Sequence, residues 1–352
     1  MAQITQITQM AQIVQMVWIA DGAQMAAGPA HQRRRLAHRR RLRHLRFGYY
    51  PCMGRGLLGA SLLMAASTGL AAEQVVFRAG IDLVTFGVTV TDRRGNLVTD
   101  LGLDDFEIVE DGRRQEVRYF SPGGGEETLS RLHPGLMLDT SASMERDLSL
   151  ARSAAIKFLN LLPQSEDITL VDFDTEVRVT RYPQRDFPRV VERIRNRKPE
   201  GWTALYDALG VYLDGASSQS GRPVLVMYTD GADSRSSLSY GETLELLRAS
   251  HTTVYAVGLV EHSGSLRMES RLRLQQMAET TGGQAFFPSR LEDLDATYRK
   301  VLDEIRAQYQ LGYASTNAAT DGQWRRVEVK VKRPGVKVRT RKGYFAPYKP
   351  SR

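Results

Sequence analysis

The chain has 352 residues, 42% hydrophobic and 25% charged, an ordinary globular balance that excludes a low-complexity or collagen-like chain. Its formal net charge of +8 is unevenly placed: residues 1–71 hold nine of the 48 Lys and Arg and one of the 40 acids, Asp21, so 39 of each sign remain beyond them. A neutral body of this kind speaks against nucleic acid as the partner, because such binding calls for a basic surface on the body itself.

The first 71 residues read as a leader. An arginine-rich run, His31 to Arg46, precedes Arg55 and the apolar stretch GLLGASLLMAASTGLAA at 56–72. That stretch is short for a bilayer span of about 20 residues, but it suits the hydrophobic region of a signal peptide. Gly69 and Ala71 form the small-x-small pattern of a cleavage site, which places the cut after Ala71. Left uncut, the leader would be the chain's only link to a membrane. Translation starting at Met53 would leave a compact signal peptide of ordinary shape. The reading is of an exported protein, in the cell envelope or secreted, and periplasmic if the source is a bacterium. The only cysteine, Cys52, lies inside the leader, so the body has no disulfide, no thiolate nucleophile and no Cys-based metal site.

Residues 76–122 carry a β pattern. Val84, Phe86, Val88 and Val90 alternate with other residues, Arg94-Gly95-Asn96 marks a turn, and Phe106 to Val109 is a short strand. Asp111-Gly112 then predicts a hairpin before Glu116 to Phe120. A Gly-rich linker spans 123–132. From 133 to 307 the pattern changes to unbroken apolar runs at Leu136–Leu138, Ile168–Phe173, Val224–Tyr228 and Val254–Val260. Such runs suit parallel strands buried on both faces. Helices fall between them: Ala151, Ala155, Phe158, Leu159 and Leu162 share one face, and Thr203–Leu213, Tyr240–Leu247 and Leu291–Ala307 follow. Strands alternating with helices predict an α/β fold, a doubly wound and mostly parallel sheet. Residues 308–347 return to β, with Val327, Val329 and Val331 alternating, a turn at Pro334-Gly335, and Val336 and Val338 beyond it. The economical arrangement is a smaller β-sandwich-like domain, made from 76–122 and 308–347, into which the α/β unit is inserted.

Three short motifs sit where strands end or helices begin. Asp139-Thr140-Ser141-Ala142-Ser143 follows the first α/β strand, Gly201-Trp202-Thr203-Ala204-Leu205 opens a helix, and Thr229-Asp230-Gly231 follows the strand at 224–228. In an open parallel sheet these loops gather beyond the carboxyl ends of the strands, where ligands bind. Two carboxylates and three hydroxyls suit a hard cation, and Mg²⁺ retains some water beside such ligands. Read singly, Asp139, Ser141 and Ser143 would be helix caps and Thr229-Asp230-Gly231 a turn; together with Thr203 they predict a metal site. Asp172 and Asp174 are read as strand-end and loop residues. His133, His251 and His262 show no metal spacing.

The three motifs together resemble the metal-ion-dependent adhesion site of von Willebrand factor A (VWFA) domains, a group that includes integrin I domains. The flanking segments DFEIVEDGRRQEVRYF, TGGQAFF, YQLGY and VRTRKGYFAP extend the resemblance over about 76–347 to the bacterial VWFA-related domain proteins. The resemblance implies a Rossmann-like α/β domain whose Ser141 and Ser143 coordinate the metal directly. Asp139 and Asp230 would act directly or through water, and Thr203 would be the switchable ligand. The metal would be Mg²⁺, or Mn²⁺ or Ca²⁺, and the partner a protein that supplies Asp or Glu to it. Trp202 stands where a small residue is common. The expected role is adhesion or assembly and not catalysis: no G-x-S-x-G elbow is present, and no histidine stands beside a convincing acid. A hydrolase using the same metal and serine loop, or an envelope protein whose metal only rigidifies the loop, are the competing readings.

Overall fold

A computed structural model describes residues 83–124, 132–162, 165–219, 221–259, 267–288 and 291–348. The leader with its cleavage site, Cys52, Met53, most of the 123–132 linker, and His262 lie outside the described residues.

The centre is a six-stranded sheet in the order β10-β9-β8-β5-β6-β7. Its members are β5 (Leu132–Asp139), β6 (Asp167–Phe173), β7 (Val177–Pro183), β8 (Arg222–Thr229), β9 (Thr253–Gly258) and β10 (Ala285–Phe286). All neighbours pair in parallel except β6 and β7, which form an antiparallel edge. The apolar runs are buried on both faces because successive side chains of a strand point to opposite sides. Leu136 and Leu138 of β5 and Val224, Val226 and Tyr228 of β8 enter one core, while Met137, Leu225 and Met227 enter the other. Helices α1 (Leu148–Asn160), α2 (Phe187–Asn196) and α6 (Leu291–Ala307) cover the first face, and α3 (Leu205–Ser217), α4 (Tyr240–Ala249) and α5 (Arg267–Thr280) the second. This is a mixed α/β fold with a mostly parallel, doubly wound sheet. α1 uses the face read from the sequence, with Ala151, Ala155, Phe158 and Leu159 all buried.

Eight further strands form two four-stranded sheets, β13-β1-β11-β4 and β14-β12-β2-β3. Here β1 is Val84–Thr91, β2 Phe106–Glu110, β3 Arg113–Gln115 and β4 Val117–Ser121. After α6 come β11 (Tyr309–Tyr313), β12 (Trp324–Val331), β13 (Lys337–Arg339) and β14 (Gly343–Phe345). Strand β11 lies antiparallel between β1 and β4, and β12 pairs with β2, so both sheets join chain from before and after the α/β unit. Phe86, Val88, Ile108, Tyr309, Tyr313, Val327 and Val329 share one core. In its wall Glu110, 2% exposed, accepts hydrogen bonds from Tyr313 (2.6 Å), Tyr344 (2.9 Å) and Ser315 (2.6 Å).

The tail strands touch the α/β unit at the edge where its parallel strands begin. The Arg339 guanidinium donates to Gly282 O at 3.1 Å. Arg341 donates to Thr85 O at 2.7 Å and to His251 Nδ1 at 2.9 Å, and stacks 4.4 Å over the Phe86 ring. The opposite edge of the sheet, where the strands end, is left to the loops that carry the candidate ligands. Among the described residues, no helix is long and apolar enough to cross a membrane.

Candidate metal centre

Asp139 is the last residue of β5 and is fully buried. Its Oδ1 accepts from the Ser141 backbone N–H at 3.0 Å and from the Ser141 hydroxyl at 2.6 Å. Ser141 Oγ lies 3.0 Å from Ser143 Oγ. The loop then makes one 3-10 turn at Ala142–Met144, and Ser141 forms no side-chain cap on it. Its hydroxyl is turned towards Asp139 and Ser143, and the helix-cap reading of this motif is not what the geometry shows. Ser143 is exposed while Ser141 is buried, so the pair of hydroxyls runs from the interior to the surface.

The second loop is pinned at several points. Gly201 has φ +72°, and a Cβ there would stand 2.4 Å from Thr175 Oγ1. Its carbonyl accepts from Ala142 N at 3.2 Å, which ties it to the Asp139 loop. Trp202 N–H donates to Thr175 Oγ1 at 2.9 Å, and the indole is left 65% exposed. Helix α3 starts at Leu205, later than the sequence reading, because Ala204 N–H bonds to Asp174 O (2.9 Å). Thr203, 4% exposed, is held by its backbone: its N–H donates to Ser234 Oγ at 3.1 Å, and its carbonyl accepts from the N–H groups of Ser234 and Arg235. Among the described residues the Thr203 hydroxyl has no hydrogen bond to the other four candidates.

Asp230 follows β8 and is 6% exposed, with Oδ1 accepting from Ala232 N at 2.9 Å. Gly231 turns the chain at φ +78°. Thr229, quoted in the motif but not read as a site residue, joins this loop to the first: its hydroxyl donates to Asp139 Oδ2 at 2.7 Å and accepts from Gly231 N at 3.0 Å. Burial first, and the Asp230 carboxylate second, push Asp139 up to about 7 against the lowering effect of its hydrogen bonds from Ser141 and Thr229. The structure therefore brings Asp139, Ser141 and Ser143 into contact and sets Asp230 within electrostatic reach of Asp139, while the Thr203 segment is tied to the Asp139 loop through Gly201 and to Ser234 and Arg235 through Thr203 itself.

Asp172 and Asp174 are engaged elsewhere. Arg178, Arg193 and Arg197 hold the Asp172 carboxylate at 2.8, 2.6 and 2.7 Å, and Arg178 also pairs with Asp174. His133 lies 3.1 Å from Asp167. No group of three or more His, Cys, Asp or Glu suited to a metal occurs among the described residues, so a cation at the sheet edge would rely on hydroxyl ligands beside two carboxylates.

With this geometry in place, residues 136–232 match the family described as von Willebrand factor type A domain. All five candidate ligands fall inside that segment. A structure titled von Willebrand factor type A from Catenulispora acidiphila is similar over 78% of this chain and 76% of its own, at 13% identity and TM-score 0.43. The PilB minor pilin from Streptococcus sanguinis is similar at 16% identity and TM-score 0.40, covering 50% of this chain and 61% of the pilin. The present chain thus spans less than two thirds of that pilin. The conserved hypothetical protein BatB from Bacteroides thetaiotaomicron is similar at 13% identity and TM-score 0.39, over 49% of this chain and 98% of its own. No curated protein matches the chain.

Proposed function

We propose that the chain is an exported, metal-dependent protein-binding module, in which Asp139, Ser141, Ser143, Thr203 and Asp230 hold one divalent cation that captures an acidic side chain of a partner. The observation that carries this reading is the pairing of two buried carboxylates whose charges oppose each other with two serine hydroxyls 3.0 Å apart. A cation relieves that repulsion, and oxygen-only ligands of this kind suit Mg²⁺ or Mn²⁺. Ser141 and Ser143 would be direct ligands. Both Asp139 oxygens already accept protein donors, which favours Asp139 acting through hydroxyls and water. The exposed side of Ser143 leaves the outward direction to solvent or to a partner carboxylate. When bound, the cation supplies a hard Lewis-acidic contact for that group; the protein supplies a fixed cradle that costs little reorganisation.

Reading the α/β unit as an insert in a β-sandwich-like domain belongs to the same proposal. It is supported by strands from both flanking segments pairing in each small sheet. The insert would then present its ligand edge away from the β strands.

The test is Mn²⁺ titration of the purified chain followed by electron paramagnetic resonance. We expect one saturable site that Mg²⁺ displaces and that is lost in Ser141→Ala/Ser143→Ala protein of native circular dichroism. Absence of saturable binding, or equal binding by the double variant, would overturn the reading.

A further inference from the structure

A second site stands apart from the ligand loops, on the helical layer formed by α1 and α2. An open surface groove of about 370 Å³ lies there, lined by Ser149, Arg152, Ser153, Ile156, Lys157 and Arg195. Three of the six are cations and none is an acid. Several other arginines of this unit meet acids: Arg178, Arg193 and Arg197 meet Asp172, Arg181 meets Asp167, and Arg273 meets Glu269. In the groove only Lys157 has an acidic partner, Asp295 of α6 at 2.5 Å. Arg152 and Arg195 have none among the described residues, and the Arg152 Nε is buried without a hydrogen-bond partner. Burial unrelieved by a counter-charge holds Arg152 below the ordinary arginine range.

A buried donor on a charged group is costly to leave unmade, and an arginine facing no carboxylate is a ready partner for an anion with several acceptor oxygens. One hydroxyl fits the same ligand. Ser153 spends its proton on Ser149 O at 3.0 Å, which leaves the Ser149 hydroxyl, in the first turn of α1, as the serine donor that can turn to a phosphate oxygen. The backbone N–H groups and the dipole of a helix start favour an anion at that point. Ile156 gives the groove one apolar wall, and the volume falls within the range of small-molecule pockets, about 300–1,000 Å³.

We propose that the groove between α1 and α2 binds the phosphate group of an organic phosphate ester, with Arg152 and Arg195 gripping the oxygens and Ile156 facing the carbon portion. Two cations spaced around one anion explain why neither is paired within the protein, and the apolar wall distinguishes an ester from a bare ion. The site is independent of the metal-dependent reading, because none of its residues belongs to the ligand loops.

The experiment is calorimetric titration of the full chain with glycerol 1-phosphate and, separately, inorganic phosphate, at matched ionic strength in chloride. EDTA is present throughout, so that a phosphate–metal contact cannot contribute. We expect saturable binding of the ester, tighter than that of inorganic phosphate, at least ten-fold weaker in Arg152→Gln and in Arg195→Gln, and unchanged in Lys337→Gln on the exposed β13. Arg195 is a surface residue, so its variant tests the idea even if Arg152→Gln fails to fold. Three outcomes would overturn the proposal: no saturable binding of the ester, equal weakening in Lys337→Gln, or inorganic phosphate binding as tightly as the ester.

Discussion

The Thr229 hydroxyl donates to Oδ2 of Asp139 across 2.7 Å, and so links the last residues of two adjacent parallel strands, β8 and β5. Thr229 Oγ1 also accepts from Gly231 N, inside the loop that carries Asp230. One hydroxyl thereby fixes the rotamer of the first carboxylate and the backbone of the second. Thr229→Val keeps the shape but removes both bonds. Loss of such an outer partner lowers metal affinity about 10- to 100-fold in comparable sites. The expected result is Mn²⁺ binding weakened at least ten-fold in Thr229→Val and largely retained in Thr229→Ser. Equal affinity in the valine variant would show that Thr229 does not position Asp139.

Gly201 makes a separate prediction about the second loop. At φ +72° an L side chain is strained, and its Cβ would stand 2.4 Å from Thr175 Oγ1. Gly201→Ala should cost about 1–3 kcal/mol in chemical denaturation from backbone strain and crowding together. Thr175→Ala removes the crowding atom but also the acceptor of Trp202 N–H, so the comparison is made within the Thr175→Ala background, where Gly201→Ala should cost less than in wild type but not nothing, since φ stays positive. A Gly201→Ala cost of zero in the Thr175→Ala background would assign the whole effect to the clash.

The strands and helices that the sequence made plain are those with a single burial pattern. Val224 to Tyr228 is apolar throughout because both faces of β8 are covered, and α1 shows its stripe because one face meets the sheet. Helix α5 escaped the reading for the opposite reason. Its buried face includes Ser270, while Met268 and Leu272 are 67% and 59% exposed, so hydrophobicity does not mark the inner side. Strand β7 is a half-exposed sheet edge and carries no apolar run. In the candidate metal centre the five proposed ligands were legible as residue types at loop positions. The role of Thr229 was not, because it depends on β5 and β8 being neighbours. The three arginines on Asp172 likewise come from β7, α2 and the segment after it, which only the fold brings together.

Glu110 ties the first and last parts of the chain. It ends β2, and the Tyr313, Ser315 and Tyr344 hydroxyls that it accepts come from beyond α6. Glu110→Ala would leave two tyrosine hydroxyls buried without an acceptor. Each such group costs about 1–3 kcal/mol, so a loss of roughly 3 kcal/mol is expected. Tyr313→Phe/Tyr344→Phe, introduced on the alanine background, should recover part of it, because the stranded donors are then gone. A urea titration of the three proteins checks this; an alanine variant as stable as wild type would contradict it.

The contact between Arg341 and His251 makes stability depend on pH. The Arg341 guanidinium donates to His251 Nδ1 at 2.9 Å, so that nitrogen must carry a lone pair and the ring must be neutral. His251 is exposed as a residue, yet desolvation of its ring first, and the adjacent Arg341 charge second, push it from the ordinary 6.5 down to about 4. Between those two values the unfolded chain binds a proton that the folded chain refuses. Stability from this group is therefore complete above about pH 6.5 and declines as pH falls towards 4. The acid-induced loss seen in wild type includes the carboxylates, so the comparison that isolates His251 is with His251→Gln, whose side chain can accept from Arg341 but does not titrate. Denaturant midpoints of the two proteins measured from pH 7.5 to 4 should converge or differ by a constant above pH 6.5. Below it the wild type should fall further than the variant. Parallel curves across the whole range would show that His251 carries no pH-dependent stability.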